Sequence, residues 1–307
     1  MTDVAIAMDI GGTGMKCALI DREFRIVRAE RHPTGAEDGP EAVAERILTI
    51  AAGLADTARA SGHTPVAAGL AAPGVIDEAR GIAVWSANVG FRGVPLRDLV
   101  IERLGIPAAL GHDVRAGARA EAALGAGQGT RRSWFVAIGT GIAAAYVIDG
   151  GTDPGAHGSS GEIGHVRVRP DGPACGCGQR GCLEAIASAS AVRRRYRDLT
   201  GVDLSAADVV ARAAAGQDAA TAIWTETIDA LADGLLIGVT LYDPDVIILG
   251  GGLAEAQALL LDPLSATLSS RLTFQTMPAL RRAALGDEAG CLGAALLALD
   301  AVQAEER

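Results

Sequence analysis

The sequence predicts an α/β protein made of two similar lobes, and three observations support this. The chain has 307 residues, well above the roughly 150 expected of one domain. Segments 4–21 and 134–149 share one plan, in which a strand, a glycine–threonine turn and a second strand precede an aspartate. Apolar residues make up 49% of the chain and aromatics only 3%. The cores must therefore be packed from Ala, Val, Leu and Ile.

The elements of the first lobe follow from runs of apolar residues and from the glycine, proline and polar residues that separate them. Val4–Ile10 and Lys16–Ile20 are β-rich runs on either side of a glycine turn, which predicts a hairpin. Longer alanine-rich runs predict helices. In chain order we then expect a helix over 39–60, a strand over 66–71, a helix over 96–104, a strand over 107–110 and a helix over 114–125.

The second lobe begins with another hairpin and is largely helical after residue 190. In order we expect strands over 134–138 and 143–148, helices over 190–199, 205–215 and 218–242, a strand over 245–249 and a last helix over 290–301. No low-complexity linker separates the lobes. We therefore place a small lobe at 1–115 with the C-terminal helix, about 290–307, packed back on it, and a large lobe at 116–289.

Three cysteines and a histidine lie close together in the large lobe. His165, Cys175, Cys177 and Cys182 form a Cys₃His set, the closed ligand set of a structural zinc site. A disulfide pair and a knuckle used only for folding are the alternatives, but such a cluster in an unexported chain favours metal. Cys17 and Cys291 lie in apolar runs and are interpreted as core residues.

Two glutamates bracket the cysteine cluster. Glu162 stands three residues before His165, and Glu184 two residues after Cys182. Because a zinc ion with three thiolates and one imidazole has no open position, we expect both carboxylates to remain free for a polar ligand. The metal would then serve as a clamp that holds them in place.

Three glycine-rich turns stand at the ends of predicted strands. Glycine adopts unusual backbone angles without steric cost, so successive amides can form a concavity that binds phosphate. Asp9, just before the first turn, would hold the water shell of Mg²⁺. A strand pattern rather than a helix follows, which excludes a dinucleotide-binding Rossmann motif. The turns predict nucleotide binding by Gly11, Gly12 and Thr13, by Gly139, Thr140 and Gly141, and by Gly250, Gly251 and Gly252.

Charge and hydropathy exclude two classes of partner. The net charge of −10 argues against nucleic acid, which needs a basic face. No apolar run approaches the ~20 residues of a membrane span, and no basic region precedes an apolar stretch at the N-terminus. We therefore expect a soluble, cytoplasmic protein that acts on a small molecule.

These motifs together resemble the ROK family (repressors, open reading frames, kinases) along essentially the whole chain. The most specific part of the resemblance is a pair of motifs, Glu162-x-Gly-His165 and the Cys-x-Cys-Gly-x-x-Gly-Cys-x-Glu run that ends at Glu184. The resemblance implies an actin-like, hexokinase-like (ribonuclease H-like) fold of two lobes, a structural zinc, and ATP-dependent phosphorylation of a hexose or N-acetylhexosamine with Mg²⁺. Some members of the family are repressors that carry an added N-terminal helix-turn-helix. Because the first predicted strand begins at Val4, we expect a kinase rather than a repressor. A homodimer is also expected.

The resemblance also implies roles for individual residues. Asp113 would be the catalytic base, and His165 would serve both zinc and sugar. The sugar-contacting set would be Gly74, Asn88, His112, Asp113, Glu162, His165 and Glu184. The nucleotide set would be Asp9, Gly11, Gly12, Thr13, Lys16, Gly139, Thr140, Gly141 and Gly250–Gly252. For Asp113 alone, a helix N-cap before Val114 is the alternative.

The sequence departs from the family pattern at the end of the catalytic strand. Asn-Asp-Ala-Asn is usual there, but this chain has His112-Asp113-Val114-Arg115. The second phosphate turn continues into three alanines, and Gly14 fills a common basic position two residues before Lys16. Three functions therefore stay open: a glucose 6-kinase first, an N-acetylhexosamine or amino-sugar kinase second, and a non-catalytic sugar sensor third. Polyphosphate is an alternative phosphoryl donor, although no basic groove is evident.

Overall fold

A computed structural model describes residues 2–305 of the chain. Its contacts divide the chain into two compact units. The first comprises the chain through Ala120, the short segment Pro154–Ser160 and the chain from Asp287 onward. The second comprises Glu121–Asp153 and Gly161–Gly286. The segment Pro154–Ser160 has no counterpart in the domain boundaries expected from the sequence.

The first unit is built on a five-stranded sheet of order β3-β2-β1-β4-β8. The first three strands in the chain pair antiparallel, whereas β4 runs parallel to β1 and β8 parallel to β4. A second sheet has the order β5-β6-β7. The strands are β1 (Thr2–Ile10), β2 (Gly14–Asp21), β3 (Ile26–Pro33), β4 (His63–Ala72), β5 (Val75–Asp77), β6 (Ile82–Trp85), β7 (Arg92–Val94) and β8 (Ala108–His112).

Helices cover the main sheet of the first unit. They are α1 (Pro40–Ala60), α2 (Leu96–Leu104), the start of α3 (Asp113–Leu124) and the C-terminal α9 (Ala289–Glu305). The last helix packs on β1 and β4, and a Cβ at Gly69 would overlap the Ala294 carbonyl. Only glycine permits this close approach, which fixes the C-terminal helix against the sheet that carries the first glycine turn.

The second unit repeats the sheet plan of the first. Its order is β11-β10-β9-β12-β13, with β9, β10 and β11 antiparallel and β12 and β13 parallel to β9. The predicted internal repeat is therefore confirmed. The elements are β9 (Arg132–Ile138), β10 (Ile142–Ile148), β11 (Gly151–Thr152), α4 (Leu183–Ala187), α5 (Ala189–Thr200), α6 (Ala206–Ala214), α7 (Asp218–Tyr242), β12 (Val246–Gly250), α8 (Ala258–Arg271) and β13 (Ala279–Arg282).

Several short or exposed elements are absent from the sequence prediction. They are β3, the three-stranded sheet β5–β7, β11, β13 and the helices α4 and α8. Strand β3 is an edge strand without a buried residue, so it lacks the apolar alternation that identifies a strand in sequence. None of the described helices combines the length and apolar character needed to cross a bilayer.

Candidate active site and metal centre

Asp113 lies at the carboxyl end of β8, where α3 begins. Its Oδ1 accepts the Val114 N–H over 2.7 Å, so one oxygen is held by the amide of the next residue. The side chain is still 30% exposed. Burial raises the pKa of Asp113, while the Val114 N–H and the Arg115 charge oppose that rise. The result is a carboxylate suited to accept a proton.

His112 is part of the packed strand end. Its side chain is only 8% exposed. Its Nδ1 accepts the Val114 N–H over 3.2 Å and lies 3.3 Å from Asp113 Oδ1. Its backbone N–H donates to Glu78 over 3.1 Å. The ring is thus fixed directly beside the carboxylate.

The first glycine turn joins β1 to β2 and contacts a predicted sugar residue. The Gly11 N–H donates to the Gly14 carbonyl over 2.9 Å, which closes the turn. A Cβ at Gly12 would lie 3.0 Å from the Asn88 Cβ. Within the first unit, Asn88 therefore lies against the turn expected to bind phosphate. Thr13 is exposed and accepts the Thr34 N–H through its carbonyl over 3.2 Å.

Asp9 and Lys16 face each other across β1 and β2. Lys16 Nζ lies 3.5 Å from Asp9 Oδ2 and 2.5 Å from Asp287 Oδ1. Burial raises the pKa of Asp9, and the Lys16 charge opposes this rise. A Cβ at Gly290 would overlap the Asp9 carboxylate, so the start of α9 fits closely around it. Asp287 is a member of this group that carries no recognisable sequence signal.

Gly74 connects β4 to β5 in a conformation reserved for glycine. Its φ is +109°, and a Cβ there would overlap the Trp85 carbonyl. The backbone at this predicted sugar residue is therefore fixed by β6, and substitution would displace it.

The second glycine turn joins β9 to β10 in the second unit. The Gly139 N–H donates to the Gly141 carbonyl over 2.9 Å, and Thr140 at the tip is exposed. Glu184 Oε2 accepts the Ile142 N–H over 2.9 Å, and a Cβ at Gly141 would overlap that carboxylate. One Glu184 oxygen is therefore bound to the backbone next to the turn expected to bind phosphate, and the other stays available for the sugar contact predicted from the sequence.

The third glycine turn follows β12 and divides into two parts. Gly250 is buried, and a Cβ there would lie 2.6 Å from the Phe135 ring. Gly251, with φ of +81°, passes close to the Ile138 backbone. Gly251 and Gly252 are exposed, so they are the members of the turn that a ligand could reach, whereas Gly250 packs in the core.

The four predicted zinc ligands come together in the second unit. The donor atoms of His165, Cys175, Cys177 and Cys182 all lie within 4.8 Å of one another. The Cys177 and Cys182 sulfurs are 3.7 Å apart, and the Cys175 sulfur is 3.7 Å from His165 Nδ1. Two sulfurs bound ~2.3 Å from one tetrahedral zinc are about 3.8 Å apart, so the set fits that metal. All five cysteines of the chain are free thiols, and the fourth donor from His165 favours the metal over the disulfide alternative.

Glu162 adjoins this centre through His165. Its Oε2 lies 3.8 Å from His165 Nε2, and 46% of its side chain is exposed. Since Nδ1 faces the sulfurs, the two ring nitrogens of His165 face two different partners. This division is what a histidine that serves both a metal and a neighbouring ligand requires.

Comparisons with known proteins agree with this geometry. The model of the ROK family matches residues 5–301. A glucokinase from Streptomyces coelicolor is 31% identical, covering 96% of this chain and 97% of the relative. An N-acetylmannosamine kinase from Citrobacter koseri is 32% identical, covering 95% and 98%. The solved structure of a ROK family glucokinase from Streptomyces griseus, in complex with glucose and AMPPNP, is 30% identical with a TM-score of 0.81, covering 97% and 99%. The predicted fold class is therefore confirmed.

Proposed function

The chain belongs to the ROK family, and we propose from that premise that it is an ATP-dependent kinase that phosphorylates the 6-hydroxyl of glucose. The observation that carries the proposal is Asp113, a half-buried carboxylate at the end of a parallel strand of the first unit. Full-length similarity to a glucokinase supports the choice of sugar. ATP as the donor is supported by the AMPPNP held by the related S. griseus enzyme.

Asp113 orients the sugar hydroxyl and accepts its proton. A hydroxyl is a poor nucleophile, and phosphoryl transfer passes through a loose transition state, so positioning and charge stabilisation provide most of the rate. The carboxylate is held by the Val114 N–H, which limits its rotation. The residues proposed to bind the sugar are Gly74, Asn88, His112, Glu162, His165 and Glu184.

The three glycine turns and Lys16 bind the nucleotide phosphates. Lys16 provides the positive charge, since Gly14 stands where a basic residue is usual. A bound Mg²⁺, whose water shell Asp9 would hold, supplies charge neutralisation of the phosphates. The Cys₃His centre is structural: the zinc it fits would hold the segment that carries Glu162 and Glu184.

An N-acetylhexosamine kinase is the second candidate. The N-acetylmannosamine kinase relative is as similar to this chain as the glucokinase is. A buried His112 beside Asp113 would also change the shape of the sugar site relative to the family pattern. A sensor without catalysis is the third candidate, and it differs from both because it binds sugar without turnover.

One experiment separates the three candidates. Turnover is measured in a coupled assay with ATP and Mg²⁺ against glucose, mannose, N-acetylglucosamine, N-acetylmannosamine and glucosamine, with polyphosphate as a second donor. The highest kcat/KM should be for glucose. A maximum for N-acetylmannosamine would favour the second candidate, and sugar binding by calorimetry without any turnover would favour the sensor.

A homodimer in the cytoplasm is also part of the proposal. Light scattering of the purified protein, and fractionation of cells that express it, test these two statements.

A further inference from the structure

The strand end that carries Asp113 is held by a buried ion pair. Arg115 Nε donates to Glu78 Oε1 over 2.7 Å, with 3% of the arginine and 24% of the glutamate side chain exposed. The same Oε1 accepts the backbone N–H of His112 over 3.1 Å. One carboxylate oxygen therefore fixes residues on both sides of Asp113.

Arg115 also contacts the short segment Pro154–Ser160 of the first unit. Its Nη1 donates to the Gly158 carbonyl over 3.3 Å. Gly158 has φ of +74°, and a Cβ there would lie 2.9 Å from the Ile76 carbonyl oxygen, so this segment is itself packed on β5. Nη2 of Arg115 is buried and has no hydrogen-bond partner among the described residues. The guanidinium is thus rigidly held but incompletely satisfied.

Stability does not explain this arrangement. Burying a charge is costly, and a buried ion pair is often no more stable than apolar residues of the same size. An unsatisfied buried donor adds a further cost, because the group has lost its water without gaining a partner. A cost of this kind next to a catalytic carboxylate points to function.

We propose that Arg115 and Glu78 are a positioning pair for Asp113, in which Glu78 holds the strand end and Arg115 places a positive charge beside the carboxylate. The inference rests on the proposed role of Asp113 as the base. Two residues thereby join the proposed site. Glu78 belongs to no recognised sequence motif, and Arg115 stands where the family pattern has asparagine.

The two members of the pair act on Asp113 with opposite sign. The titratable and charged groups around Asp113 are Asp9 on β1, His112 on β8, Arg115 on α3 and Glu78 after β5. The Arg115 charge lowers the pKa of Asp113 against the effect of burial. Arg115→Gln should therefore raise that pKa. Glu78→Gln removes the charge that offsets the guanidinium and should lower it.

The pH dependence of kcat/KM reports this difference, because a general base loses activity as the pH falls through its pKa. The acid limb should move to higher pH in Arg115→Gln and to lower pH in Glu78→Gln, each by roughly one unit. The double variant should return close to wild type. Arg119→Gln, in the same helix and paired with Asp300 over 2.6 Å, is the matched control and should leave the limb in place.

A direct titration separates this inference from the proposed function. The Asp113 carboxyl is followed by ¹³C NMR, assigned by comparison with Asp113→Asn, in the same set of proteins. Opposite shifts in the two variants support the pair even if the wild type phosphorylates no sugar, an outcome that would overturn only the proposed function. The proposal is contradicted if the pKa of Asp113 moves in the same direction in both variants, or if it moves in neither.

Arg115→Lys keeps the inference testable if Arg115→Gln does not fold. Lysine retains the charge but cannot reproduce the Nε and Nη1 contacts together. The acid limb should therefore stay in place while kcat falls roughly tenfold or more through misplacement of the carboxylate. An Arg115→Lys variant whose kcat equals that of wild type, or a Glu78→Gln variant with an unmoved acid limb, contradicts the proposal.

Discussion

Glu184 Oε2 accepts the backbone N–H of Ile142 over 2.9 Å, although the two residues lie 42 positions apart in the chain. Ile142 follows the turn expected to bind phosphate, and Glu184 belongs to the set expected to bind sugar. A single hydrogen bond within the second unit therefore joins the two functions. It predicts that changes at Glu184 affect both substrates, in a manner that depends on the replacement.

Glu184→Gln and Glu184→Ala should differ in their effect on ATP. Glutamine can still accept the Ile142 N–H but is neutral, and a hydrogen bond to a neutral group contributes about 1 kcal/mol, against about 1.5–3 kcal/mol for one to a charged group. The KM for sugar should therefore rise at least tenfold (about 1.4 kcal/mol), with the KM for ATP nearly unchanged. Alanine leaves the amide unpaired, so the KM for ATP should rise as well. Glu226→Gln, on the exposed face of α7, is the control, and equal ATP constants in the two Glu184 variants would contradict the link.

The zinc centre should be part of the folding free energy of the second unit. Protein purified without chelator should contain one zinc per chain, and Cys175→Ala should contain none. Because metal binding is coupled to folding, each kcal/mol lost with the zinc should lower the Tm by roughly 2–4 °C. Metal analysis and thermal unfolding measure both effects. Cys291→Ala should retain its zinc, and a wild type without stoichiometric zinc would refute the assignment.

His112→Asn restores the family residue and should shift sugar preference towards glucose. Asparagine can accept the Val114 N–H that the His112 Nδ1 accepts now, so the fold should be unchanged. It is smaller than the imidazole, and the space beside Asp113 should grow. The measurement is the ratio of kcat/KM between glucose and N-acetylmannosamine. If that ratio stays the same, His112 is a packing residue.

Glu121 should be a major determinant of stability rather than of catalysis. Its fully buried carboxylate accepts the N–H groups of Ala126, Ala284 and Leu285 over 2.9, 3.0 and 2.8 Å. Glu121→Ala leaves three amides without this partner, at about 1–3 kcal/mol each. The free energy of unfolding should fall by at least about 3 kcal/mol in urea titrations. Glu102→Ala, at an exposed position of α2, is the control, and a loss below about 1 kcal/mol would show that water replaces the carboxylate.

The sequence predicts the elements that are apolar and regularly spaced. Both hairpins were predicted because each has two buried runs around a glycine turn. Helix α7 was predicted from its length and composition, and its bounds are those of the structure. Strand β3 was missed because its charged side chains belong to an exposed sheet edge, where burial imposes no pattern.

The site was predictable where one local motif carries it. The zinc ligands lie within one short segment, so their spacing alone predicts the metal. The partners of Arg115 are different, because they come from distant parts of the chain. Glu78 lies 37 positions from Arg115, and Gly158 lies 43 positions from it. Nothing local marks either residue. The buried arginine predicts only that some carboxylate must pair with it.

The central claim is that Asp113 is the base of a sugar kinase, and Asp113→Asn tests it most directly. The turnover of glucose with ATP and the Kd for glucose are measured together in the wild type and the variant. The account predicts that kcat falls by about 10²–10⁴-fold, the contribution of a general base, while the Kd stays within about tenfold because the carboxylate is replaced by an isosteric amide. A variant that retains more than about a tenth of the wild-type kcat would contradict the assignment.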